Sequence, residues 1–211
     1  MNGRSLFVNA LTFLRVPLIF AWLGLAITAE RTGSGAWAVA ACAAMLASGL
    51  TDLFDGRLAR KWQVVSALGK MADPLMDKVF YVVAFPGLLW LIMSQGESSA
   101  HAMTMLWFTI LYLLRDLWVT FLRSVGVAYG ADVAAMWLGK VRTALSFPAA
   151  GWVYVYLCAH RLAPADWNGL WLASVYAVEA MMIVINLVSF VTYTRVYSPW
   201  LAKALGDGRR D

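Results

Sequence analysis

Four aspartates stand in two pairs within one stretch of the chain: Asp52 and Asp55, three apart, and Asp73 and Asp77, four apart. Carboxylates gathered this closely repel, and they cannot all stay ionised without a counter-charge. Hard divalent cations such as Mg²⁺ take oxygen ligands and keep phosphate or water in their shell. Two metals held between such pairs clamp a phosphate and stabilise both the attacking and the leaving oxygen. Gly56, Ala59 and Gly69 lie on the same stripes and remove bulk. They leave a groove in which a planar base or a diphosphate approaches the backbone. Arg60, at the edge of the stripe, offers a forked set of donors to phosphate.

Helices position these groups, because residues three and four apart share a helix face. Asp52, Asp55, Gly56 and Ala59 follow that spacing on one helix, and Gly69, Asp73 and Asp77 follow it on the next. The midpoint of Asp55 and Asp73 is residue 64, so a turn at Gln63-Val64-Val65 sets the two pairs opposite each other. Each pair then lies about 13–19 Å from the bend at 1.5 Å per residue. Pro74 has no N–H for an upstream carbonyl, so a bend or a free carbonyl is expected near Gly69-Lys70.

The surrounding chain is apolar. Of its 211 residues 62% are hydrophobic and 14% charged, with mean hydropathy +0.68. A soluble domain carries nearer a quarter charged residues. The composition predicts an all-α, polytopic membrane protein in one domain, residues 1–211, with tails at 1–8 and 203–211. Six spans are expected, at about Asn9–Ala29, Ala36 into the aspartate stretch, Ala67–Met93, Ala102–Val125, Ala135–Cys158 and Leu170–Arg195. With both termini on one side, that side holds all the Lys and Arg except Arg31 and Arg161. Such a bias predicts cytoplasmic termini and a cytoplasmic aspartate hairpin. The net charge of +5 follows this topology and anionic lipid, and no nucleic-acid partner is expected. Cys42 and Cys158 fall in apolar runs and are expected as small core residues. His101 and His160 are expected in loops on the outer side. Glu179, inside the sixth span, is expected to pair with a neighbouring helix, be protonated or line a cavity. The Trp residues read as interfacial anchors and packing.

The pattern D-x2-D-G-x2-A-R-x8-G-x3-D-x3-D, carried by Asp52, Asp55, Gly56, Ala59, Arg60, Gly69, Asp73 and Asp77, resembles the signature of the CDP-alcohol phosphotransferases at every position. The resemblance implies a six-helix membrane enzyme, a homodimer, with two divalent metal ions, Mg²⁺ or Mn²⁺. Such enzymes transfer a phosphate-linked group from a CDP-linked donor to an alcohol and release CMP. It implies Asp52, Asp55 and Asp73 as metal ligands, with Asp77 beside the second metal and serving as general base. Asp52, Gly56, Ala59, Arg60 and Gly69 would contact the CDP moiety.

Residues outside the hairpin narrow the acceptor. Asn9-Ala-Leu-Thr-Phe-Leu-Arg15 and Asp73-Pro-Leu-Met-Asp-Lys78 resemble segments of phosphatidylglycerophosphate synthases and cardiolipin synthases. Arg115 with Arg123, and Gly139-Lys-Val-Arg-Thr143, resemble segments of the former. The sequence departs from that group at Asp116, where Glu is usual, and at Ala144-Leu-Ser-Phe147, which lacks a usual Gln. Arg115, Arg123, Lys140 and Arg142 suit a dianionic acceptor phosphate, or else snorkel to lipid headgroups. Arg195 is a further candidate on the sixth span.

The function expected from this resemblance is transfer of a phosphatidyl group from CDP-diacylglycerol to sn-glycerol 3-phosphate, in a bacterial inner or plasma membrane. Phosphatidylglycerol and inositol phosphate are the alternative acceptors. From another class, a cation transporter also uses intramembrane carboxylates, though its site lies nearer the midplane.

Overall fold

In hydrocarbon every backbone N–H and C=O must be satisfied within its own segment, so long apolar runs close into helices. A computed structural model of the chain describes residues 3–64, 67–131, 136–162 and 168–207. Among them are six helices and no strand: α1 (Gly3–Thr32), α2 (Gly35–Trp62), α3 (Ala67–Ser94), α4 (Ser99–Ala128), α5 (Trp137–Leu162) and α6 (Asn168–Asp207). All but α5 are long and apolar enough to cross a membrane by length and composition, and α5 carries Lys140, Arg142, His160 and Arg161. The chain is an all-α, multi-pass membrane protein, as its composition predicts.

α1 packs against α2 and α3, α4 against α3 and α6, and α5 against α2, α3 and α6. Aromatic edges knit the interior. Trp22 meets Tyr154 at 5.5 Å between ring centres, and Phe85 meets Phe108 and Tyr112 at 4.7 and 4.8 Å. Val82, Leu117 and Val188 are exposed, as a lipid-facing surface requires.

Two turns fix the ends of the site-bearing helices. Gln63 takes a left-handed conformation (φ 55°), and its N–H closes on the carbonyls of Ala59 and Arg60. α2 therefore stops where the spacing of the aspartates places the bend, although Val65 lies outside the described residues. At the opposite end Ser98 accepts from the His101 N–H at 3.2 Å and starts α4 one turn ahead of the apolar run.

That cap corrects one expectation. His101 is not a loop residue but sits in the first turn of α4, fully buried, and His160 lies in α5. Polar neighbours hold His101 there. Its Nδ1 is 3.7 Å from Glu97 and its Nε2 is 3.4 Å from Glu179, which thus faces a neighbouring helix. The expected tails are also largely helical, since α1 begins at Gly3 and α6 runs on to Asp207. The α6 extension is anchored where Tyr193 and Tyr197 pack on Val119 and Leu122.

Candidate active site

α2 and α3 bring the aspartates together. Asp52, Asp55 and Asp73 each present an oxygen within 4.8 Å of the others, a spacing at which one cation could be held. Asp55 is buried, and Thr12 Oγ1 of α1 donates to its Oδ2 at 2.9 Å. Asp52, Asp73 and Asp77 open onto a cavity of about 1180 Å³.

A cation from a third helix stands among the four carboxylates. Arg15 Nη1 donates to Asp77 Oδ1 at 2.6 Å, and Nη2 donates to Asp52 Oδ1 at 2.5 Å. The same Nη2 is 3.3 Å from Asp55 and 3.6 Å from Asp73. Arg15 is 3% exposed. Its place in the sequence hints at this role, because a charge inside an apolar span needs a partner. Nothing in helical spacing says which partner, so the contact was not legible until the fold brought α1 onto the hairpin.

The donor set fits hard divalent ions. It is all carboxylate oxygen, it converges, and it is partly open to a cavity large enough for phosphate groups.

The cavity wall opposite is cationic. Arg115, Arg123, Lys140 and Arg142, the expected acceptor set, all line it. Arg142 lies 4.0 Å over the Tyr112 ring and donates through Nη2 to Asp116 at 2.8 Å. Arg115 donates to Ser189 and stacks 4.8 Å from the Tyr193 ring centre, with Arg123 5.9 Å from the same ring. Among the described residues several of their nitrogens find no hydrogen-bond partner though buried: Arg142 Nε and Nη1, Arg115 Nε and Arg123 Nε. Buried donors left open in this way suit an anion.

Three neighbours of this wall carry no role in the sequence reading. Asp116, noted there only as a departure, also takes Lys78 Nζ at 3.1 Å. Ser189 and Tyr193 come from α6, beyond the region in which motifs were found. Of the expected CDP-contacting residues, Asp52 lines the cavity, whereas Gly56, Ala59, Arg60 and Gly69 do not. Gly56 is one turn beyond Asp52, and among the described residues a Cβ built there would have Arg60 Nη2 within 4 Å, at 3.9 Å. Arg195 does not line the cavity.

Comparison with known proteins places the chain in a family. The family model for CDP-alcohol phosphatidyltransferase matches residues 6–192. The chain belongs to the CDP-alcohol phosphatidyltransferase family. Among similar proteins is a "Cardiolipin synthase (CMP-forming)" of Streptomyces coelicolor, 28% identical over 182 residues, 80% of this chain and 78% of the relative. A "Probable phosphatidylglycerophosphate synthase" of Mycobacterium tuberculosis is 34% identical over 143 residues, 68% of this chain and 63% of that protein. A "CDP-diacylglycerol--glycerol-3-phosphate 3-phosphatidyltransferase" of Treponema pallidum is 31% identical over 161 residues, 75% of this chain and 70% of the relative. The family match takes in all four aspartates and the four cavity-wall cations.

Proposed function

We propose that this phosphatidyltransferase moves the phosphatidyl group of CDP-diacylglycerol to sn-glycerol 3-phosphate, giving phosphatidylglycerophosphate and CMP. One observation carries the reading: the carboxylate cluster and a wall of four cations, some with open buried donors, face one cavity. The relatives named for glycerol-3-phosphate transfer support it.

Asp52, Asp55, Asp73 and Asp77 would hold two divalent ions, Mg²⁺ or Mn²⁺, which when bound offset charge on the phosphoryl oxygens. Asp77 accepts the proton of the acceptor hydroxyl. The freed oxygen attacks the phosphorus that carries the diacylglycerol, the bond to CMP breaks, and CMP leaves with the electron pair. Arg115, Arg123, Lys140 and Arg142 hold the acceptor phosphate so that its hydroxyl points at that phosphorus. Gly56, Ala59 and Arg60 on α2, one or more turns beyond Asp52, and Gly69 on α3, one turn before Asp73, receive the cytidine end of the donor. Positioning and electrostatics supply most of the rate. The enzyme works as a homodimer in a bacterial plasma membrane, as one domain, with both termini and the hairpin on the cytoplasmic side.

A second acceptor is favoured by one observation. The cardiolipin synthase relative aligns over more of the chain than the others described, which points to phosphatidylglycerol. The deciding experiment gives purified enzyme CDP-diacylglycerol, Mg²⁺ and one labelled acceptor at a time. Labelled lipid and CMP from glycerol 3-phosphate are expected. Product from phosphatidylglycerol alone overturns the acceptor assignment. An absence of metal-dependent CMP release with every acceptor overturns the reaction.

A further inference from the structure

We propose that Arg15 is a built-in cation that a divalent metal ion must displace, so that this residue sets how tightly the aspartate site loads. The proposal rests on the reading of the aspartates as a metal site.

The geometry makes the competition direct. Arg15 Nη2 lies 2.5, 3.3 and 3.6 Å from oxygens of Asp52, Asp55 and Asp73. Those are the three residues whose oxygens converge within 4.8 Å. Nη1 holds Asp77 at 2.6 Å. A hard cation needs the same lone pairs that the guanidinium now occupies. Two positive groups at that separation also repel, so both cannot sit at full strength in one nest of oxygens.

Each side of the arrangement needs the other in the metal-free chain. Four carboxylates without a counter-charge repel, and a guanidinium buried to 3% exposure is costly unless paired. Arg15 therefore keeps the α2–α3 hairpin assembled before any metal arrives. Its stem comes from α1, where the Arg15 carbonyl accepts from Ser48 Oγ at 3.4 Å. Among the described residues Arg15 Nε has no hydrogen-bond partner, and the tip of the side chain makes the contacts. Arg15 also lines the large cavity, which gives a displaced guanidinium somewhere to go.

The consequence is unusual for a residue that touches the site: removing it strengthens metal binding. The test measures Mn²⁺ binding by electron paramagnetic resonance on the purified full chain in detergent, without substrate. Arg15→Gln is expected to bind Mn²⁺ at least about tenfold more tightly than the wild type, since the competing charge is gone. Arg15→Lys, with one ammonium instead of a fork, falls between the two. In EDTA the Gln variant melts below the wild type, and Mn²⁺ narrows that gap. A merely structural Arg15 would lower the melting temperature without tightening Mn²⁺ binding. If Arg15→Gln does not fold, Arg15→Lys decides by the same comparison. Tighter binding, or binding seen only in the variants, supports the proposal. Equal or weaker binding by the folded variants, beside a wild type that binds, overturns it and leaves the metal site standing. Asp73→Asn serves as control. If no chain binds Mn²⁺ in a way that depends on Asp73, the metal site itself is overturned, and the proposal with it.

Discussion

Arg142 of α5 donates to Asp116 of α4 at 2.8 Å, and the other oxygen of Asp116 takes Lys78 of α3 at 3.1 Å. One carboxylate thus ties three helices together beside the cavity. Arg142 is 2% exposed, so its buried charge loses its nearest counter-charge when that partner is removed. Breaking a buried pair on one side costs about 3 kcal/mol, or about 6–12 °C of melting temperature in a chain of this size. Asp116→Ala is expected to lose that much in a thermal melt of the detergent-solubilised protein. Asp116→Ala combined with Arg142→Met removes both charges and should regain more than half of the loss. A double mutant no more stable than Asp116→Ala would mean that the pair is not what holds these helices.

Gly49 of α2 lies against the ring of Phe147 on α5. A Cβ built at this position would lie 2.2 Å from Phe147 Cζ and 2.5 Å from its two Cε atoms. Turning the ring about its own axis leaves Cζ in place, so either Phe147 changes rotamer or the helices move apart. Gly49→Ala should therefore destabilise the protein by about 1–3 kcal/mol, the usual cost of overpacking. Phe147→Leu placed in the Gly49→Ala background should recover most of it. Melting curves of the single and double variants check this, and a Gly49→Ala protein as stable as the wild type counts against the contact.

The hairpin was legible because its signal is local. Aspartates three and four apart can share only a helix face, and symmetry about residue 64 leaves one place for a bend, beside the observed left-handed Gln63. The cationic wall was legible in part, since Arg115, Arg123, Lys140 and Arg142 are charges that an apolar chain must justify. What escaped is tertiary. Periodicity along α1 says that Arg15 is out of place in an apolar run, not that it reaches four carboxylates on two other helices. Asp116 looked like a departure from a motif because its partners, Lys78 and Arg142, lie 38 residues before and 26 after it. The sequence places His101 in a loop because the apolar span begins at Ala102, while the cap that starts the helix, Ser98, lies outside that span.

The buried polar cluster at the other end of the bundle is expected to serve stability alone. His101 Nε2 is 3.4 Å from Glu179 Oε1, and Glu97 also accepts from Tyr156 at 3.0 Å. His101 precedes Arg115 on α4 by 14 residues, about 21 Å along the axis. Glu179→Leu removes the carboxylate nearest His101 Nε2 and should cost about 1 kcal/mol, the net worth of one such polar contact. Below the melting transition its rate of CMP release should match the wild type. Loss of activity in a folded Glu179→Leu protein would mean that the two ends of the bundle are coupled.

Asp77→Asn separates proton transfer from assembly. Asn keeps the size of the side chain and an oxygen that accepts from Arg15 Nη1, now 2.6 Å from the carboxylate. It cannot take a proton from the acceptor hydroxyl. A positioned general base contributes on the order of 10²–10⁴ in rate, so kcat for CMP release should fall by at least about that factor, the lost metal ligand adding to the lost base. The melting temperature should move far less than in Asp116→Ala, because three of the four carboxylates around Arg15 remain. Single-turnover measurement of CMP release, with donor and acceptor both saturating, reads the chemical step directly. Turnover within about threefold of the wild type, well short of that range, would move the base to another residue. Arg15→Gln offers the useful contrast, since it leaves Asp77 free to accept the proton while removing the guanidinium that holds it.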